Sequence, residues 1–379
     1  MADDPRIPHA RAAGCHVTRE APLETILKRM IAAEGPIRLD RYMSLCLSHP
    51  VHGYYNSGDP FGATGDFTTA PEISQVFGEL IGVWCVHVWQ TMASPIPLRL
   101  IELGPGRGTL MADLLRVASR LTGLDRNTIA VDLVETSPTL RQIQATRLDG
   151  HHVAWHENLH NVPLGPAIVV ANEFFDALPV RQYVFRNGRW AECFVGLNER
   201  AQLAFGFAPA PPPPPAALPH ERPPEGTIVE CSEAQMAMAE AIGRRLAAEG
   251  GAALIIDYGH EGGYGDTLQA LRQHRFVSPL DQPGRSDLTA HVNFAILRQA
   301  LQRAGACTYG PISQAGYLKA MGLTERAERL KSSADAKQRS TIDSAIRRLA
   351  GHETPMDMGT LFKVLAACHP TLPIPHPFQ

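Results

Sequence analysis

At 379 residues and 41.3 kDa, the chain is long enough for two domains or for one large domain with additions. Hydrophobic residues make up 44 % and charged residues 19 %, the balance of a soluble globular protein, and a formal net charge of -3 excludes any general pull toward nucleic acid or anionic membrane. No apolar run approaches about 18 residues, so no membrane span is expected.

The first twenty residues mix Asp3, Asp4 and Glu20 with Arg6, Arg11 and Arg19, which fits neither a secretory signal nor a transit peptide. From Pro22 to Met43, Ile26, Leu27, Met30 and Ile31 fall at helical spacing, and a second helical start follows Gly35-Pro36. The segment HGYYNSGDPFGATGDFTTAPEIS is too rich in glycine and too irregular for helix or strand. Beyond Pro71 the pattern turns helical through VFGELIGVWCVHVWQTM. Residues 1–95 therefore read as a helical region around one long loop, of the kind that is usually functional or disordered.

From Pro97 the pattern becomes strand then helix. LRLIEL, AVDLVE and AIVVAN are short apolar strands, separated by the amphipathic stretches TLMADLLRVASRL and TLRQIQATRL. This alternation predicts a parallel sheet with helices on both faces over residues 96–310. Asn187-Gly188 marks a β-hairpin, and 208–226 is a proline-rich insertion expected to be an exposed polyproline connection. Ser232 to Gln235 reads as a capping box opening a helix that ends at Gly250-Gly251, and AALIIDYG is a fourth parallel strand. Residues 311–379 read as charged helix closing on the apolar run TLFKVLAAC, a probable last strand. The seven cysteines are scattered, odd in number and never CxxC, which suits a reduced cytosol. HHVAWHENLH has no companion cysteines or carboxylates at ligand spacing and reads as a polar connection, so no metal is expected.

The motif richest in chemistry is IELGPGRGTL, in which Glu102, Gly104, Gly106 and Gly108 form E-x-G-x-G-x-G between a strand and a helix. Glycine permits the sharp turn and a ligand's close approach. The dinucleotide fingerprint spaces its third glycine one residue further on, and a phosphate loop would need Gly-Lys-Ser/Thr. The tighter spacing resembles motif I of class I S-adenosylmethionine-dependent methyltransferases. Glu135, ending the next strand, suits the two ribose hydroxyls as an acceptor, and does so for a nicotinamide cofactor equally. The same resemblance puts an adenine-contacting residue at Glu157 or Asn158.

AIVVAN then delivers Asn172, Glu173, Phe174, Phe175 and Asp176 to the carboxyl edge of the sheet, where open α/β folds bind ligands. In class I enzymes that methylate nitrogen, this position carries an Asn-Pro-Pro-aromatic motif. Glu173 in place of the first proline suits a planar cation such as a guanidinium, with Asp176 one turn on either assisting or capping a helix. GDFTTAPEISQVFGELIG, ELGPGRGTLMADLLR, ANEFFDALPVRQ, IDYGH, GDTLQALRQH and DLTAHVNF together resemble the MidA family, arginine methyltransferases linked to assembly of respiratory complex I, from about Gly35 to Cys368.

That resemblance implies a Rossmann-like class I sheet with helical additions at both ends, S-adenosyl-L-methionine as cofactor, and a protein substrate, the large hydrophilic complex I subunit near the quinone site. It implies a cytoplasmic location in bacteria and a mitochondrial one in eukaryotic relatives. It makes Gly65, Asp66, Phe67, Thr68, Thr69 and Glu72 a cover over the cofactor. Glu173 is the candidate base, with His260 or His291 behind it, and helix capping is the favoured reading of His291. A non-catalytic assembly factor, a small-molecule N-methyltransferase and a nicotinamide-dependent oxidoreductase are the rival readings.

Overall fold

The computed structural model describes residues 21–56, 69–124, 127–213 and 223–379. Four helices precede the sheet: α1 (Pro22–Glu34), α2 (Leu39–Ser48), the single turn α3 (Ala70–Ile73) and α4 (Gln75–Thr91). Leu23, Leu27 and Ile31 recur along one face of α1 and are buried, the stripe that its spacing predicts.

The central sheet consists, in chain order, of β1 (Leu98–Leu103), β2 (Ile129–Val134), β3 (Val153–His156), β4 (Ala167–Asn172), β5 (Gly251–His260), β6 (Cys307–Ser313) and β7 (Phe362–Cys368), in the spatial order β6-β7-β5-β4-β1-β2-β3. The first five strands are parallel, with Leu100 opposite both Val131 and Ile168. β7 runs antiparallel between β5 and β6. A two-residue strand, Val292–Asn293, pairs with the far end of β5. This is the Rossmann-like class I sheet that the resemblance implied.

The parallel strands are near-continuous apolar runs because both faces are covered. Leu98, Leu100, Ile168, Val170, Leu254 and Ile256 pack on one side with Trp84 of α4 and with α5 (Thr109–Thr122). Ile101, Leu103, Val169 and Ile255 pack on the other with α7 (Glu233–Glu249) and α8 (Phe294–Arg303). α6 (Pro138–Arg147) lies between β2 and β3 in the chain. Full burial of each such aliphatic side chain contributes about 1.5–3 kcal/mol, so the sheet edge is a stiff platform.

Two antiparallel insertions were only partly legible. Between β4 and β5, strands Arg181–Arg186, Arg189–Leu197, Leu203–Pro209 and Ile228–Cys231 form a second sheet, which the N-terminal region joins through Ile37 opposite Val195. Asn187 and Gly188 make the expected hairpin turn, both at positive φ (51° and 73°). The proline-rich stretch begins as strand, since Ala191 pairs with Pro209, and residues 214–222 lie outside the described residues. Between β5 and α8, strands Gln269–Arg272, Arg275–Val277 and Asp287–Thr289 form a third sheet. The capping box at α7 is half formed: Ser232 accepts from the Gln235 amide at 3.0 Å, but the Gln235 side chain donates instead to the Phe175 carbonyl at 2.8 Å.

The C-terminal helices α9 (Gln314–Ala320), α10 (Leu323–Lys331), α11 (Ala336–Ala350) and α12 (Met358–Leu361) lie in the chain between β6 and β7. The last strand then inserts between β5 and the edge strand β6, and β6 runs across the expected boundary at residue 310.

Candidate active site

The carboxyl ends of β1, β2 and β4 open onto a cavity of about 320 Å³. It lies where the chain leaves β1 toward β2 on one side and β4 on the other, the place where open α/β sheets bind ligands. Leu47, Ser48 and Tyr55, from the end of α2 and the turn after it, and Thr69, Pro71 and Glu72, around α3, complete the wall.

One half is built from the glycine loop. Gly104, Gly106 and Gly108 all adopt positive φ (61°, 52° and 76°), and Gly108 leads into α5. A Cβ on Gly104 would stand 2.8 Å from Phe174 Cδ2, so both the conformation and the space require glycine there. Glu135 stands just past β2, buried, with Oε1 accepting from the Ser137 amide at 2.8 Å and Oε2 from Gln144 Nε2 at 3.2 Å. Gln144 Nε2 also donates to the Gly106 carbonyl at 2.7 Å, while its Oε1 accepts from Trp155. Gln144 thus fixes the loop against the strand-end acid. Sequence reading missed it because a lone glutamine on a helix carries no motif.

Thr69 and Glu72 line the cavity, with Glu72 hydrogen-bonded to the Thr109 hydroxyl. Thr68, with Gly65, Asp66 and Phe67, lies outside the described residues. Of the two residues expected on the adenine side, Glu157 is on the wall. Asn158 is not, because the chain turns there into the 3₁₀ turn Leu159–Asn161.

The other half surrounds the end of β4. Glu173 has φ of 49°, uncommon for a side chain with a Cβ, and its amide donates to the Ile256 carbonyl at 2.9 Å. Its Oε1 accepts from the Ala70 amide at 2.9 Å and from Asn172 Nδ2 at 3.1 Å. The following turn is wrapped around Asp257 of β5, whose Oδ2 accepts from the amides of Phe174, Phe175 and Asp176 at 3.2, 2.9 and 3.2 Å, and whose Oδ1 accepts from the Tyr258 amide at 2.9 Å. Phe175 is fully buried and Phe174 stands edge-on against it, lining the cavity over Gly104. Asp176 lines the cavity, and no helix begins at it for it to cap.

His260 and His291 are not on the cavity wall. β5 continues past Asp257, and Val292–Asn293 covers its end. His260 Nδ1 there accepts from the Gly262 amide at 3.1 Å, and the His291 ring stands edge-on to Tyr258. Burial lowers the pKa of both. Helix capping, the other reading of His291, falls to Asn293, whose Oδ1 accepts from the Ala295 and Ile296 amides. The histidine-rich segment is likewise structural, with His156 Nε2 on Asp132 at 2.7 Å. Among the described residues no His, Cys, Asp or Glu group is placed to hold a metal ion.

Electrostatically the cavity is acidic. Glu72, Glu102, Glu135, Glu157, Glu173, Asp176 and Asp287 line it against one guanidinium, Arg107, among the described residues. Burial, then the nearby Glu135, pushes Glu102 up to about 8. Burial pushes Glu173 up to about 7, with Asp176 adding to the effect and the Ala70 amide opposing it, and pushes Asp176 up to about 6. Buried oxygens of Glu102 (Oε2), Asn172 (Oδ1) and Asp176 (Oδ1) have no hydrogen-bond partner. Unpaired buried acceptors are costly, so the site is shaped for a ligand that brings donors and positive charge. S-adenosyl-L-methionine, with its ammonium, its sulfonium and its ribose hydroxyls, fits that donor set. Glu102 and the glycine loop would hold its amino-acid portion, and Glu135 its ribose.

Comparison with known proteins agrees. A family model described as "Putative S-adenosyl-L-methionine-dependent methyltransferase" matches residues 80–312. The chain is 37 % identical over 369 residues to protein arginine methyltransferase NDUFAF7, mitochondrial, of Danio rerio, covering 90 % of this chain and 87 % of that protein. Its identity to the Homo sapiens protein of the same name is 36 % over 378 residues, covering 92 % and 84 %. A crystal structure of a Burkholderia thailandensis protein bound to S-adenosyl-homocysteine superposes with a TM-score of 0.78 at 29 % identity, covering 92 % of each chain. The chain therefore belongs to this family of S-adenosyl-L-methionine-dependent methyltransferases, with S-adenosyl-L-methionine as its cofactor.

Proposed function

We propose that the chain is a protein-arginine N-methyltransferase acting in assembly of respiratory complex I, on the large hydrophilic subunit near the quinone site. The observation that carries this is Glu173, held at positive φ beside Asn172, Asp176 and the Phe174 ring, on the cavity that Glu135 also lines. A guanidinium is planar, cationic and rich in forked donors, and this group of acceptors beside an aromatic face complements it. The names of the NDUFAF7 relatives support the same chemistry. No helix among the described residues is long and apolar enough to cross a membrane, and the cysteines described are free, in keeping with action in a reducing bacterial cytoplasm.

When bound, the cofactor supplies an electrophilic methyl group on sulfur. The C–S bond breaks with its electron pair remaining on sulfur, and an N–C bond forms to the acceptor. Asn172 and Glu173 align the nitrogen, and Glu173, ionised above about 7, takes the proton that leaves it. Glu173→Gln keeps the size and most of the hydrogen bonding but cannot take that proton. Transfer of labelled methyl to the subunit is expected to fall about a hundredfold or more, with S-adenosyl-homocysteine affinity within about threefold of wild type. Transfer near the wild-type rate would disprove the role. Mass spectrometry of complex I from cells with and without the gene tests the partner: an unchanged subunit removes it.

A further inference from the structure

Resting on the arginine reading, an inventory of donors shows that Glu173 is not enough. A guanidinium carries five N–H donors, and one carboxylate edge accepts two in parallel. Glu173 already spends Oε1 on the Ala70 amide and Asn172. Any guanidinium N–H left unmet in a buried site costs about 1–3 kcal/mol. More acceptors are needed on the same cavity, and Asn172 Oδ1 and Asp176 Oδ1 are two that stand buried and without partners.

Asp287 is a third carboxylate facing this space. It belongs to the insertion strand Asp287–Thr289, is 6 % exposed and lines the cavity. Tyr55, from the N-terminal region, lines the same cavity, and its hydroxyl donates to Asp287 Oδ1 at 3.2 Å. The Ser137 hydroxyl donates to the Tyr55 carbonyl at 2.7 Å, which anchors that turn just beyond Glu135. Burial, then the charges of Asp287 and Asp176, raise the Tyr55 phenol above its ordinary range, in keeping with both carboxylates lining the same cavity as that ring. The strand that carries Asp287 is also fixed to the Asp176 turn, because the Ala290 amide donates to the Asp176 carbonyl at 3.0 Å.

We propose that Asp287, held by Tyr55, joins Asp176 as a second arm of the acceptor site, taking the guanidinium donors that Glu173 does not hold. The acceptor would then be gripped by three separate parts of the chain: the end of β4, the insertion between β5 and α8, and the turn after α2. A guanidinium would be preferred over an ammonium, since its planar fork of five donors can serve several carboxylates at once.

The test uses the full-length protein, with agmatine as a guanidinium probe and butylamine as its ammonium counterpart. Binding is measured by calorimetry with and without S-adenosyl-homocysteine, and KM is measured for an arginine peptide. Asp287→Asn is expected to weaken agmatine and to raise the peptide KM by about tenfold or more, leaving kcat and S-adenosyl-homocysteine affinity within about twofold. Tyr55→Phe, which keeps the carboxylate and loses its anchor, is expected to give about threefold in the same direction and provides the reading if Asp287→Asn does not fold. Unchanged agmatine affinity and peptide KM in the folded variants would overturn the inference and leave the arginine reading standing. Wild-type protein that transfers methyl to no arginine, yet loses agmatine affinity on Asp287→Asn, would sink the arginine reading and support the clamp.

Discussion

The two halves of the cavity differ in how their acceptors are satisfied. On the cofactor side, Gln144 ties Glu135 to Gly106 and the Ser137 amide holds Glu135 as well, so the ribose-side acid is positioned by short-range hydrogen bonds before any ligand arrives, and the one unpaired buried oxygen there among the described residues is Glu102 Oε2. On the acceptor side, Asn172 and Asp176 keep unpaired oxygens, Glu173 sits in a strained conformation, and Asp176 and Asp287 come from distant parts of the chain. A site that takes one constant ligand can be finished in advance. A site that takes a cation from a protein is completed by that cation, and its buried carboxylates resist ionisation until the cation arrives.

Gly104 is where this contrast can be broken, because it belongs to the cofactor loop yet touches Phe174. Gly104→Ala adds about 1–2 kcal/mol of left-handed strain and forces the Phe174 ring away from a Cβ at 2.8 Å. S-adenosyl-homocysteine affinity is expected to fall about thirtyfold, and the acceptor KM to rise with it. Gly108→Ala serves as the control. Its Cβ would meet Gln144 Cγ at 3.5 Å, an ordinary contact, so its smaller loss is confined to the cofactor. Equal effects of the two substitutions on acceptor KM would show that the halves do not communicate through Phe174.

The same contrast explains what was readable from sequence. The cofactor half is local: strand, glycine turn, helix and next strand-end acid fall within 102–135, so periodicity and spacing expose them together. The acceptor half is assembled by topology. Glu173 and Asp176 were visible because they follow an apolar strand, and the cation reading followed from their charge. Asp257 stood at a recognised strand end with no role evident, since its use as an acceptor for three successive amides of another segment exists only once β5 lies beside β4. Asp287 and Tyr55 are 232 residues apart and nothing short-range links them. The histidines at 260 and 291 are the converse case: nearness in sequence to strand ends suggested nearness to the cavity, yet neither lines it, His260 ending β5 and His291 preceding the short strand that pairs with that end.

Asp257 allows the contrast to be sharpened. Asp257→Asn keeps one carbonyl oxygen for the three amides of the 174–176 turn but presents an NH₂ to the Tyr258 amide, leaving that donor unmet at a cost of about 1–3 kcal/mol. The turn that aims Glu173 should loosen while the glycine loop stays in place. The expected result is roughly a tenfold loss in kcat/KM for the acceptor, with S-adenosyl-homocysteine affinity within about twofold. An equal loss of cofactor affinity would mean that the platform is shared and the division artificial.

The smallest effect expected is on stability, and its sign is set by burial. Glu102 at about 8, Glu173 at about 7 and Asp176 at about 6 all titrate above the ordinary carboxylate range of the unfolded chain, so the cofactor-free folded protein binds more protons than the unfolded one between those limits. Their contribution is then complete below the unfolded values of about 4 and is lost as pH rises through 6 to 8. The double variant Glu102→Gln, Glu173→Gln removes two of these titrations. The melting temperature of wild type relative to that variant should drop by several degrees between pH 5 and pH 9, and a cationic ligand that favours the ionised carboxylates should flatten the drop. A difference that stays level or grows over this range would show that both acids, one in each half, are already ionised in the empty site, and that neither waits for a cation.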